Sequence, residues 1–161
     1  MSGPRAQEEE VGEGHDASQA CIRATCLAVD GHGVLLCGDS GAGKSDLALR
    51  LIEGGACLVA DDYTFVRREG ARVLAWPPEP IAGLLEVRGV GILTFPVLRD
   101  VCIAAVIDLV SADDVPRLPA AETRMIADVP LRRFRIAAFE SSAALKVRLA
   151  VRLATGGIMS K

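Results

Sequence analysis

A chain of 161 residues with 50% hydrophobic content fills one core and leaves little for a second, so a single domain is expected. The formal net charge of −3 and an isoelectric point near 5.4 lack the basic footprint that neutralises nucleic-acid phosphates, which excludes DNA and RNA as expected partners. No apolar run approaches the ~20 residues of a membrane span and the N-terminus is acidic and polar, unlike a signal peptide, so neither a membrane nor an export route is expected.

In chain order, residues 1–20 contain five acids (Glu8, Glu9, Glu10, Glu13, Asp16) and almost no apolar side chains. That composition does not repay the entropy of ordering, and a disordered acidic tail is expected there, with the domain itself over 21–161. Runs 26–29 and 34–37 read as two strands around the Asp30–Gly33 turn. A glycine-rich stretch follows, then 45–53 with Leu47, Ala48, Leu51 and Ile52 at helical spacing, stopped by Gly54-Gly55. Run 57–60 is short and apolar, and a strand, helix, strand unit of this length predicts a parallel pair with a right-handed crossover. Runs 63–68 and 72–76 flank Glu69-Gly70 as a hairpin, and 84–87, 91–95 and 101–110 add strands with little helix between them. Segment 111–123 holds three acids, two prolines and one arginine and is predicted to be a polar loop. A strand over 131–137 and a closing helix over 143–154, capped by Ser141 or Ser142 and stopped at Gly156, complete the pattern. The whole predicts an α/β domain with a mixed sheet and flanking helices. The five cysteines (Cys21, Cys26, Cys37, Cys57, Cys102) are odd in number and form no C-x-x-C pair, so they are read as small core residues in a reducing, cytoplasmic compartment.

Three segments carry chemistry. Gly38-Asp39-Ser40-Gly41-Ala42-Gly43-Lys44-Ser45 fits the phosphate-binding loop G-x-x-x-x-G-K-[ST] and lies between a predicted strand and a predicted helix, the context the motif needs. Glycines turn backbone N–H groups toward phosphate oxygens, the helix start adds its positive end, Lys44 supplies a mobile cation, and Ser45 offers a hydroxyl to Mg²⁺. Asp61-Asp62 would emerge at the C-terminal end of a strand parallel to the loop-bearing one, where one carboxylate can take a hydroxyl proton while the other helps hold a metal. Glu86 and Arg88 alternate along Leu85-Glu86-Val87-Arg88-Gly89-Val90-Gly91, on one side of a strand, followed by glycines that let the backbone approach a ligand. His15 in the tail, His32 in a turn and Trp76 before two prolines are read as structural.

The three segments together, in this order and spacing, resemble HPr kinase/phosphorylase, from about Ile22 to Ala154 and without that family's separate N-terminal domain. The resemblance implies a P-loop kinase-like catalytic domain that uses ATP and Mg²⁺ to phosphorylate a serine of HPr, or of its nitrogen-system relative. Lys44 would be the phosphate lysine, residues Gly38, Asp39, Ser40, Gly41, Ala42, Gly43 and Ser45 its nucleotide cradle, and Asp61 the acid/base. Ser45, Glu86 and Asp62 would face the metal, Arg88 would be part of the catalytic signature, and Arg117 would approach the transferring phosphate. A hexameric assembly is implied in the same way.

Two departures accompany the resemblance. Arg23 stands where the family usually has a histidine, which removes a neutral imidazole. The family's Pro-Gly-Arg-Asn segment, linked to reverse phosphorolysis, is replaced by Phe139-Glu140-Ser141-Ser142, so the forward reaction is expected to exceed the reverse. Two other functions stay open on the residues alone: a nucleotide-binding regulator without catalysis, and a P-loop kinase of a small molecule.

Overall fold

The computed structural model describes residues 19–161. Strands β2 (Thr25–Val29) and β3 (His32–Cys37) pair antiparallel through a two-residue Asp30-Gly31 turn with φ of 51° and 79°. Positive φ at both central positions matches the twist of the flanking strands, and Asp-Gly supplies it. From β3 the chain enters the glycine-rich loop and α1 (Lys44–Glu53), then returns through β4 (Cys57–Ala60). Both β3 and β4 pair antiparallel with β2, which lies between them. They run parallel as expected, but they are not hydrogen-bonded neighbours, because the opening hairpin has already occupied that edge of β3.

A meander follows: β5 (Thr64–Glu69) pairs with β6 (Arg72–Trp76), and β1 (Gln19–Ile22) lies antiparallel on β5. Ordered pairing thus begins at Gln19, two residues before the expected domain start; residues 1–18 of the acidic tail lie outside the described residues. Hairpin β7 (Leu84–Val87) and β8 (Gly91–Thr94) forms a separate two-stranded sheet. The long β9 (Val101–Leu109) is the hub. One of its edges takes β3 in parallel, while the other takes β6 at Val101 and Cys102 and then β11 (Val129–Ile136) in parallel from Ala105 onward. Strand β10 (Glu122–Ile126) pairs with β11, and α2 (Ala143–Ala154) closes the chain.

The result is a mixed nine-stranded sheet with two helices on one face. Alternation sorts the side chains: Leu27, Val29, Val34, Leu36 and Leu58 meet Leu47 and Leu51 of α1 and Val147 and Val151 of α2. Leu47 and Leu51 are fully buried, which contributes about 2 kcal/mol each. Cys26, Leu35, Cys37, Val59 and Val106 face the opposite core, closed by the curled meander and by Ile126, Val129 and Leu131. In β9 a register shift pairs Gly33 with Ile103 but Val34 with Ala105. The extra residue flips the strand's parity, so that Ile103 serves one core while Ala105 and Ile107 serve the other.

Four further expectations need correction. The polar loop expected at 111–123 ends in β10, whose turn residues Ala127 and Asp128 have φ of 48° and 62° without any glycine to mark them. Ser142 occupies the N-cap of α2, but its hydroxyl makes no capping bond. Cys26 and Cys37 are buried as expected, whereas Cys57 is exposed. Glu86 lies on β7 but Arg88 lies past its end, in the turn. Trp76 packs as expected, 5.8 Å from the Phe65 ring with the Arg67 guanidinium 5.3 Å above it. Among the described residues no helix is long and apolar enough to cross a membrane.

Candidate active site

Strands β3, β9 and β11 run parallel, and β4 shares their direction, so all four end on one edge of the sheet. The connections leaving that edge are the glycine-rich loop, the 110–121 loop, the 137–142 segment and Asp61-Asp62, which is where α/β sheets collect ligand-binding groups.

Gly43 is the N-cap of α1 with φ of 96°, and a Cβ there would come 2.8 Å from Ala138 Cβ. Only glycine fits that junction. No side chain caps the helix, which leaves its first N–H groups free to face an anion. Lys44 is 7% exposed and folds back over the loop, donating from Nζ to the carbonyls of Gly38 (2.6 Å) and Asp39 (3.1 Å).

Asp61 is 8% exposed at the end of β4. Its Oδ1 accepts from Thr25 Oγ1 at 2.9 Å and from Ser45 Oγ at 3.2 Å. Thr25 also accepts the Asp62 N–H at 3.3 Å, so one buried hydroxyl from β2 orients both halves of the acid pair. Burial pushes the Asp61 carboxyl above its ordinary pKa and the Asp62 charge adds to this, while the hydrogen bonds from Thr25 and Ser45 pull it back. Asp62 has φ of 60°, and the Tyr63 N–H donates to the Asp61 carbonyl at 2.7 Å. This tight turn keeps Asp61 inside while Asp62 faces solvent, with backbone strain held next to the buried carboxylate.

Hairpin β7–β8 brings Glu86 to the same place. Asp61, Asp62 and Glu86 line a cleft of about 230 Å³ with Tyr63, Leu84 and Ile92. Arg88 is exposed in the hairpin turn and Arg117 in the loop after β9, and neither lines this cleft. Arg23 is exposed on the β1–β2 connection. Gly89 and Gly91, with φ of 85° and 133°, build the turn between the strands.

A second cleft of about 560 Å³ lies on the β9 side of the loop, lined by Asp39, Ser40, Gly41, Leu109, Asp114 and Phe139 among others. The glycine-rich loop, carried by β3, therefore sits between a cleft at the ends of β9 and β11 and a cleft at the end of β4. Among the described residues no three His, Cys, Asp or Glu side chains are close enough to hold a metal ion by themselves. The hydroxyl of Ser45 and the nearby carboxylates form a hard-oxygen set, which suits Mg²⁺ completed by phosphate and water oxygens.

Three features escaped the sequence. Thr25 looks like any strand threonine. Phe139 looks like a residue before a helix. Asp108, at the end of β9 opposite Cys37, pairs with Arg133 and with Arg124 (3.6 Å). Those arginines lie on β10 and β11, and no local spacing announces the pairing.

Comparison with known proteins agrees with this architecture. The Hpr(Ser) kinase/phosphatase from Coxiella burnetii superposes with a TM-score of 0.75 at 25% identity, covering 85% of this chain and 97% of that one. The fold is thus the mixed α/β catalytic domain of that structure. HPr kinase/phosphorylase of Caldicellulosiruptor bescii is 47% identical over 70 residues, 43% of this chain and 22% of that protein. HPr kinase/phosphorylase of Caldanaerobacter subterraneus is 43% identical over 86 residues, 53% of this chain and 28% of that protein. The chain spans about a quarter of the length of these curated relatives. The family model described as the HPr Serine kinase C-terminal domain matches residues 15–137, and the chain belongs to that family.

Proposed function

We propose that this chain is the catalytic domain of an ATP- and Mg²⁺-dependent protein-serine kinase that phosphorylates HPr or a related phosphocarrier protein. The observation that carries the reading is the buried Asp61 carboxylate, 3.2 Å from the hydroxyl of Ser45, the residue that follows Lys44 on α1, with Glu86 in the same cleft as Asp61. Lys44 and the loop N–H groups hold the phosphates, and Asp61 takes the proton from the acceptor serine Oγ as that oxygen attacks the γ-phosphorus. The bond from phosphorus to the β–γ bridging oxygen breaks and ADP leaves. Ser45, Glu86 and Asp62 would hold Mg²⁺, which supplies neutralisation of charge on the phosphates.

A regulator that only binds nucleotide has no need for a buried carboxylate aimed by two hydroxyls. The test is to incubate the purified chain with HPr-type carriers, Mg²⁺ and ATP and to map the modified residue by mass spectrometry. Phosphoserine on a carrier is the expected result. ATP binding without transfer to any carrier, or transfer only to a small molecule, would overturn it.

A further inference from the structure

We propose that Phe139 is the base platform of the nucleotide site, the surface on which the purine of the phosphate donor stacks; this rests on the nucleotide reading above. Phe139 is 73% exposed, yet its ring lies against the glycine-rich loop: a Cβ on Gly43 would sit 3.1 Å from Cζ and 3.2 Å from Cε1. The ring forms one wall of the 560 Å³ cleft, with Leu109 and Val110 from the end of β9 also lining it and the loop residues Asp39 to Ala42 continuing it. That volume lies within the roughly 300–1,000 Å³ typical of small-ligand sites.

Charge sets the direction in which a nucleotide lies there. The N–H groups at the start of α1 and the Lys44 ammonium attract the phosphates. Elsewhere in the cleft stands Asp114, whose carboxylate accepts from Ser111 Oγ at 3.0 Å, and that charge repels a phosphate tail while suiting ribose hydroxyls and exocyclic amines. The uncharged end of the donor therefore points away from the helix start into the cleft, where the exposed face of Phe139, whose edge rests on Gly43, is one wall and Asp114 another part of the lining.

The backbone that carries the ring is also held in place before any ligand arrives. Arg50 of α1 donates to the carbonyls on both sides of Phe139, those of Ala138 and, at 3.1 Å, Glu140. A fixed aromatic face costs little ordering when a base stacks on it, and stacking tolerates any purine. ATP and GTP should bind alike and CTP more weakly.

The test compares ATP with inorganic tripolyphosphate, which shares the phosphates and lacks the base, by titration calorimetry in Mg²⁺. Phe139→Ala should weaken ATP roughly 5- to 100-fold and leave tripolyphosphate unchanged, and Phe139→Tyr should retain wild-type affinity for both. Equal losses for the two ligands would mean that the ring only props the Gly43 junction and would overturn the proposal. Unchanged ATP affinity in Phe139→Ala would place the base elsewhere and overturn it too. A wild-type chain that binds neither ligand would instead overturn the nucleotide reading, and the platform with it.

Discussion

At the scale of single residues, the acid pair and the loop lysine make separable contributions. Lys44 is the cation nearest the loop carbonyls, and Lys44→Ala should lower turnover on the order of 10²-fold or more while leaving the fold intact, checked by steady-state kinetics beside circular dichroism. Asp61 has a raised pKa for reasons of burial first. Between its ordinary value of 3.8 and its folded value, the folded chain keeps a proton that the unfolded chain has released. Stability therefore falls as pH rises through that window and the loss persists at neutral pH. Asp61→Asn should abolish phosphotransfer, hold nucleotide affinity, and raise the melting temperature at pH 7 but not below pH 3.8. The acid limb of kcat/KM should follow the same carboxyl. Asp62→Asn removes a neighbouring charge and should move the limb to lower pH; Thr25→Val removes a hydrogen bond to the carboxylate and should move it higher. A limb that stays put in both variants would mean that another group is the base.

At the scale of elements, the β7–β8 hairpin is the weak link that supplies Glu86. Two strands alone are marginal in water, and this pair depends on Leu85, fully buried among the side chains of the helical core. Leu85→Ala should cost about 2–5 kcal/mol of global stability in thermal or urea unfolding. It should also raise the Mg²⁺ concentration needed for half-maximal activity, because Glu86 loses its fixed position. A variant with lowered stability and an unchanged Mg²⁺ requirement would remove Glu86 from the metal site. The opening hairpin was legible from Asp30-Gly31, whereas β10 was hidden by an Ala127-Asp128 turn that adopts positive φ without glycine. Turn chemistry can be read where glycine supplies it, and tertiary packing enforced it here.

At the scale of the molecule, the question is which direction of phosphoryl transfer the surroundings of the loop favour. Reverse transfer brings inorganic phosphate up to a phosphoserine, two anions that need fixed cations or N–H donors. The segment before α2 contributes Glu140, and Lys146, the nearest cation on that helix, is taken by Glu140 at 2.6 Å. Forward transfer should therefore outrun the phosphate-dependent reverse reaction. Phosphoserine carrier, Mg²⁺ and millimolar phosphate with a pyrophosphate readout provide the measurement; a reverse rate equal to the forward one would show that Arg23 or another exposed cation compensates.

What the sequence by itself determined was everything that rests on neighbours along the chain. The loop 38–45 had to join a strand to a helix, Asp61-Asp62 had to leave a short apolar strand, and the helices read over 45–53 and 143–154 announced themselves by their spacing and their glycine stops. Only the tertiary structure decided which of these groups meet. It placed β2 between β3 and β4, and with it set Thr25 on Asp61; it folded the β7–β8 hairpin so that Glu86 joins that cleft, and left Arg88 and Arg117 in solvent. It also drew Phe139 onto Gly43, residues nearly a hundred positions apart, through the parallel pairing of β11 with β9 and β9 with β3. The reason is physical: motif and periodicity express local backbone preference, whereas the approach of distant side chains depends on strand order and register, which are set by burying two cores at once on a shared sheet.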